Sequence, residues 1–239
     1  MRVVAVIQAR MGSTRLPGKV LLPLAGKPML QNIVDRVKRA KLVDGIVVAH
    51  PSDDFGISEL VEDIPGCHSF SNMLLEENDL VSRFYMAASA YGADLIVRIC
   101  SDNPLVEPGE IDRAIQSYMD CPNPYISNMH QHDISAMRDR FLNGYPDGVG
   151  CEVFSWSTLQ WMNECLHEAE YREHPHRYFH RVGLIDSPVC PYEFARPNLK
   201  LDVNEMKDYE FIKDIYEHFG HNNFHITEVI KYLDSKNQS

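Results

Sequence analysis

Twelve residues near the start of the chain, Gln8 to Lys19 (QARMGSTRLPGK), gather three cations and two glycines. Gly12 and Ser13 permit a tight turn whose backbone N–H groups can aim at phosphate oxygens. Arg10, Arg15 and Lys19 surround that turn. An arginine grips phosphate as a planar fork, and a lysine follows charge as a point cation. The segment is therefore suited to a small polyanion such as a nucleoside triphosphate. Two acids complete the set: Asp102 in CSDNPL and Asp202 in NLKLDVNEMKDYEF. Magnesium takes one or two carboxylates and fills its shell with phosphate oxygens and water. An aspartate between strand and helix is also an ordinary N-cap, which is how Asp202 reads on spacing alone. Asp102 stands out more, because Pro104 turns the chain away and Arg98 precedes it on the strand.

Two nucleotide signatures are excluded. A P-loop needs four residues between its glycines, whereas five separate Gly12 from Gly18, and Val20 stands where a magnesium-binding hydroxyl belongs. No G-x-G-x-x-G follows the first strand, which argues against a dinucleotide-dependent dehydrogenase. The net charge of −11 speaks against nucleic acid as a partner, yet residues 1 to 41 carry nine basic side chains and one acid. Within that basic segment Arg36, Lys38, Arg39 and Lys41 read as a solvated helix face. His174, His176 and His180 read as a polar helix rim rather than a zinc site, since only the last two share a face. The six cysteines contain no C-x-x-C pair and read as small hydrophobes. No apolar run reaches the ~20 residues of a membrane helix, so a cytoplasmic protein is expected.

The elements that must position these groups follow from patterning. Val3–Gln8 (VVAVIQ) has the continuous apolar character of a central strand, and Ile46–Ala49 and Leu95–Cys100 supply two more. Helical spacing runs from Leu30 to Val37 and from Asp79 to Tyr91, and a further helix opens at Glu107-Pro108-Gly109. Later strands are expected at Tyr125–Ser127, Cys151–Phe154 and Leu199–Leu201. Later helices are expected at Ser157–Leu166, Tyr171–Arg181, Met206–Phe219 and Thr227–Leu233. Alternating strands and helices predict one α/β domain over residues 1–239, with a mainly parallel sheet covered on both faces. Both the basic loop and Asp102 would then lie at strand carboxyl ends, where open α/β sheets bind ligands. Residues 135–150 break the rhythm and predict a long loop or arm.

At QARMGSTRLPGKVLLPLAGKPML the sequence resembles the cytidylyltransferases that activate acylneuraminate and related sugar acids, with the spore-coat polysaccharide branch nearest. The resemblance continues through DLVSRFYMAASAYGADLIVRICSDNPLVEPGEID, YPDGVGCEVFSWSTL, EYREHPHRYF and NLKLDVNEMKDYEFI. It implies a three-layer α/β/α, Rossmann-like, nucleotide-diphospho-sugar transferase fold, commonly a homodimer formed through an arm, here around 130–185. It implies transfer of CMP from CTP to a sugar or sugar acid, with Mg2+ on Asp102 and Asp202 and no membrane partner. Gly12, Ser13, Arg15 and Lys19 would hold the triphosphate, with Arg10 beside them. Gln8 and Ala9 would meet the base through their backbone, and Arg83 and Arg98 would line the nucleotide pocket. Asp147, Glu152, Arg172, Glu173 and His174 would face the sugar. One departure concerns the D-G-x-D-x-E pattern, which here runs Asp147-Gly148-Val149-Gly150-Cys151-Glu152 and lacks a carboxylate at Gly150. Alternatives are a related transferase using another nucleotide or a sugar phosphate, a glycosyltransferase, for which Ser101-Asp102-Asn103 lacks the D-x-D pair, and an inactive nucleotide-binding regulator.

Overall fold

The computed structural model describes residues 1–72, 78–129 and 144–236. Its first strand, β1 (Val3–Gln8), is buried from Val3 to Ile7, with Gln8 half-buried at its end. A two-residue hairpin follows, β2 (Pro23–Leu24) and β3 (Lys27–Pro28), turned by Ala25 and Gly26 with φ of 47° and 79°. Positive φ at both central residues marks a type I′ turn. Then come α1 (Met29–Val37), β4 (Gly45–His50), α2 (Phe55–Glu62), β5 (Cys67–Ser71), α3 (Leu80–Ala90), β6 (Leu95–Cys100) and α4 (Pro108–Asp120). The second half adds β7 (Tyr125–Ser127), β8 (Glu152–Ser155), α5 (Trp156–Cys165), α6 (Ala169–Glu173), α7 (Pro175–Val182), β9 (Ile185–Asp186), α8 (Met206–Phe219) and α9 (Ile226–Lys236).

Seven strands form one sheet in the order β5-β4-β1-β6-β8-β7-β9. All neighbours pair in parallel except β8, which runs antiparallel to both β6 and β7. Alternation along β1 explains the three layers. Val3, Ala5 and Ile7 pack with Leu30, Ile33, Ile57, Ile111, Ile212 and Val229, so α1, α2, α4, α8 and α9 cover one face. Val4 and Val6 point the other way, onto Val81, Phe84, Leu159, Met162 and Phe179 of α3, α5 and α7. The chain crosses from β1 out to β4 and β5, then returns to β6 on the other side of β1. The carboxyl ends of β1 and β6 thus flank a topological switch point, where ligands bind in such sheets.

Several sequence expectations are corrected. Leu199–Leu201 is no strand: it makes a single bridge, Lys200 to Asp147. The helix expected over Tyr171–Arg181 is two helices, because Pro175 cannot continue α6 and instead starts α7. Arg36 is fully buried rather than solvated. Its guanidinium bonds Val106 O at 2.7 Å, Phe224 O at 3.2 Å and Glu107 Oε2 at 3.2 Å. Of the segment expected as a loop or arm, residues 130–143 lie outside the described residues. Residues 152–186 carry β8, α5, α6, α7 and β9, built into the domain.

Candidate active site

The loop after β1 curls around one carbonyl. Met11 O accepts from Ser13 N at 2.9 Å and from Gly18 N at 3.0 Å, while Met11 N donates to Asp54 Oδ2 at 2.9 Å. Gly18 sits at φ 69°, a left-handed conformation that disfavours any side chain. This closure leaves the N–H groups of Gly12, Thr14 and Arg15 without an acceptor among the described residues. Lys19 follows in a short 3₁₀ turn and is buried. Its ammonium donates to Val203 O at 2.6 Å and lies 3.8 Å from Asp102 Oδ2. Arg15 reaches across an exposed edge to Asn204 Oδ1 at 2.8 Å, and Arg10 to Asn78 Oδ1 at 3.1 Å.

The acidic side is assembled from two distant turns. Asp102 follows β6, and its carbonyl accepts from Val203 N at 2.7 Å, which clamps the turn carrying Asp202 alongside. Asn204 Nδ2 donates to Asp202 Oδ2, so Asn204 links Arg15 to this acid. Asp202 Oδ1 is buried with no hydrogen bond, its nearest cation being Lys200 Nζ at 3.6 Å. Burial, reinforced by the negative charges of Asp147 and Asp102, pushes the Asp202 carboxyl up to about 6. A buried carboxylate oxygen without a donor, in a field of like charge, suits a cation. Among the described residues no three acids or histidines gather closely enough to hold an ion by themselves. The chemistry of Asp102 and Asp202 thus fits a divalent cation whose shell is completed by other ligands.

Between these two sides lies a cleft of about 240 Å³. Of the residues expected at the site, Gln8, Ala9, Arg10, Ser13, Arg15 and Lys19 line it from the loop side. Arg83, Asp102, Glu173 and His174 line it from the others, and Gly12 holds the loop turn beside them. Glu173 and His174 reach it because the break before Pro175 ends α6 there. Burial and the nearby Arg177 lower the His174 pKa, favouring the neutral ring. Five other expected residues do not line the cleft, among them Asp202, which adjoins it through Asn204. Arg98 and Glu152 are paired beneath the cleft floor, where Glu152 also takes a hydrogen bond from Tyr125 Oη at 2.7 Å. Arg172 clamps Asp79 at 3.0 Å, Ser82 at 2.6 Å and the Leu166 carbonyl at 2.8 Å, joining α6 to α3 and α5. Asp147 is strapped backbone-to-backbone against Leu199 and Leu201. Asn204 and Ser101 enter the lining without having been expected. Asn204's position two residues beyond Asp202 is the one sequence signal that could have found it.

At Gly150 the pattern's missing carboxylate has a steric origin. A Cβ there would lie 2.3 Å from the Asn128 carbonyl oxygen. Asn128 occupies the space, its side chain accepting from Cys151 N and donating to the Glu110 carbonyl, each at 2.8 Å.

Comparison with known proteins decides the family. The family described as Cytidylyltransferase matches residues 4–138, more than half of the chain. The chain belongs to the cytidylyltransferase family. Among similar proteins is the spore coat polysaccharide biosynthesis protein SpsF of Bacillus subtilis, 29% identical over 90% of this chain and 86% of that protein. A 3-deoxy-manno-octulosonate cytidylyltransferase of Geobacter sulfurreducens is 40% identical, over 51% of this chain and 47% of its own. A solved cytidylyltransferase from Leptospira borgpetersenii superposes with a TM-score of 0.87 at 26% identity, covering 100% of this chain and 96% of the other. The fold is thus that of the nucleotide-sugar transferases. The family match ends within the segment after β7. This cytidylyltransferase therefore has the loop after β1 and Asp102 inside the matched region and Asp202 outside it. No helix among the described residues is long and apolar enough to cross a membrane.

Proposed function

We propose that the protein transfers CMP from CTP to a sugar or sugar acid with release of pyrophosphate, in polysaccharide or glycan biosynthesis. The observation that carries the reading is the pairing, across one cleft, of the Arg15–Lys19 cations with Asp102, and with Asp202 held behind the lining residue Asn204. In the proposed reaction an acceptor oxygen attacks the α-phosphorus while the bond to the β-phosphate oxygen breaks. Lys19 and Arg15, with the free loop N–H groups, stabilise the charge that accumulates on the departing pyrophosphate. The Lys19 ammonium is already fixed by Val203 O, so it needs no reorganisation as that charge develops. Asp102 and Asp202 would hold a magnesium ion, which supplies charge neutralisation at the phosphates when bound. Glu173 and His174, exposed to the cleft by the helix break, belong to the acceptor side. We further assign a cytoplasmic homodimer as the working form.

The test is incubation with CTP, Mg2+ and a panel of sugars and sugar acids, scoring pyrophosphate and identifying the product by mass. A CMP-sugar with stoichiometric pyrophosphate is expected. Turnover only with another nucleoside triphosphate, or none with any acceptor despite CTP binding, would overturn the proposal.

A further inference from the structure

Gln8 ends β1 at the cleft, and its side-chain amide is held from beneath. Arg98 Nε donates to Gln8 Oε1 at 3.0 Å. Arginine has only donors, so the amide oxygen must face Arg98 and the NH2 group must face away from it. That NH2 group has no acceptor among the described residues, and Gln8 lines the cleft. Arg98 is itself fixed in place. It is 3% exposed, ion-paired to Glu152 and stacked over the Phe84 ring at 5.8 Å. Glu152 is pinned in turn by Tyr125 Oη at 2.7 Å. Register places Arg98 directly opposite Glu152 across the antiparallel pair β6 and β8.

The neighbouring backbone is largely committed. Gln8 O accepts from Ser101 N at 3.2 Å, and Ala9 N donates to Ala49 O at 3.0 Å. The base contact that resemblance assigns to these backbones is therefore left to one group, the Ala9 carbonyl. That oxygen takes no hydrogen bond from any described residue, and Ala9 also lines the cleft. Two adjacent residues thus present one amide donor and one carbonyl acceptor.

We infer that the Gln8 side-chain amide and the Ala9 carbonyl read the pyrimidine of the nucleotide, with Arg98 and Glu152 as positioning residues that fix the choice of cytosine. Cytosine carries an acceptor at N3 beside a donor amino group at N4. Uracil reverses both, with a donor at N3 and an acceptor at O4. A donor from Gln8 and an acceptor from Ala9 complement the first pattern and oppose the second. Arg98 cannot accept a hydrogen bond, so the Gln8 amide cannot flip to suit uracil without leaving the arginine's Nε–H unpaired in the interior. The inference rests on the CTP-dependent reading above and adds the residues that impose it.

Calorimetric titration of Mg·CTP and Mg·UTP, with no acceptor sugar present, tests it on the wild type, Gln8→Met and Gln8→Glu. Circular dichroism checks each fold. Gln8→Met keeps the volume and removes the donor, and should lower the CTP-to-UTP affinity ratio at least tenfold. Gln8→Glu keeps the bond to Arg98 but turns an acceptor toward the cleft, and should lower the ratio further, to favour UTP. Arg98→Lys retains charge against Glu152 while removing the Nε donor, and should lower the ratio as Gln8→Met does. Equal losses for both nucleotides in the folded Gln8 variants, or an unchanged ratio, would overturn the inference while leaving CTP dependence standing. Absence of CTP binding by the wild type would instead overturn the CTP-dependent reading itself.

Discussion

Replacing Gly150 by alanine should destabilise the protein by about 4–6 kcal/mol. The added Cβ would stand 2.3 Å from Asn128 O, 2.5 Å from Asn128 C and 2.7 Å from Asn128 Oδ1. Two of these are backbone atoms, so no rotamer of Asn128 relieves the overlap and the segments themselves must part. Parting them strains the hydrogen bonds from Asn128 N to Cys151 O at 3.2 Å, from Cys151 N to Asn128 Oδ1 and from Asn128 Nδ2 to Glu110 O. Overpacking alone costs about 1–3 kcal/mol, and each weakened buried hydrogen bond about 1 kcal/mol. The sum is a large share of the roughly 5–15 kcal/mol that holds a domain folded. Urea unfolding followed by far-ultraviolet circular dichroism should show a lower midpoint at unchanged slope. Asn128→Gly should not rescue it, because the closest overlaps are with the main chain. A Gly150→Ala protein within about 1 kcal/mol of wild type would refute the reasoning. By the same geometry Gly150→Asp cannot restore the pattern's carboxylate, so this chain is built without it.

Other substitutions probe the remaining polar groups. Lys19→Met should lower turnover with CTP on the order of 10²-fold, the loss seen when one preorganised charge-stabilising group is removed, and near-normal steady-state rates would reject its role. Arg36→Met leaves Glu107 buried without its cation and should cost about 3–5 kcal/mol in denaturant titration, part of which Arg36→Met/Glu107→Gln recovers. Burial pushes the His176 imidazole down to about 4, outweighing the nearby Glu152 carboxylate. A folded-state pKa below the ordinary 6.5 means that its contribution to stability is complete above pH 6.5 and is lost as pH falls toward 4. The loss amounts to about 2–3 kcal/mol over that window, at roughly 1.4 kcal/mol per unit. It is read as the difference in melting temperature against pH between wild type and His176→Gln, whose profile should be flatter.

The loop side of the cleft is legible in sequence because it is local. Gly12, Gly18, Arg15 and Lys19 fall within eight residues of chain, and a loop following an apolar strand has one place to go in an α/β sheet. Asp102 is legible for the same reason, sitting two residues beyond the end of β6. Arg36 is not, because helical spacing marks it as outward-facing. Nothing within α1 signals that Asn222 and Phe224, more than 180 positions later, fold over it. The edge strand β5, Cys67–Ser71, escapes a pattern search because its alternation is polar and half-exposed. The helical span Tyr171–Arg181 divides at Pro175, a proline that also frees Glu173 and His174 for the cleft.

The least legible feature, the insertion of β8 antiparallel between β6 and β7, has the widest consequence. Glu152 and Arg98 are 54 positions apart, and no periodicity in either strand indicates that they will be cross-strand neighbours. Motif reading alone therefore sends Glu152 to the sugar and Arg98 to the nucleotide as separate side chains. The antiparallel register makes them one buried ion pair, and a buried pair is stable only when its remaining polar atoms are satisfied. Tyr125 satisfies one of those atoms from β7, and Gln8 satisfies another from β1. The orientation of a glutamine at the cleft surface is in this way a consequence of strand order. A cleft residue's amide can be turned by a pairing that never touches the ligand, which is why the residue types lining the cleft do not by themselves state what the site selects.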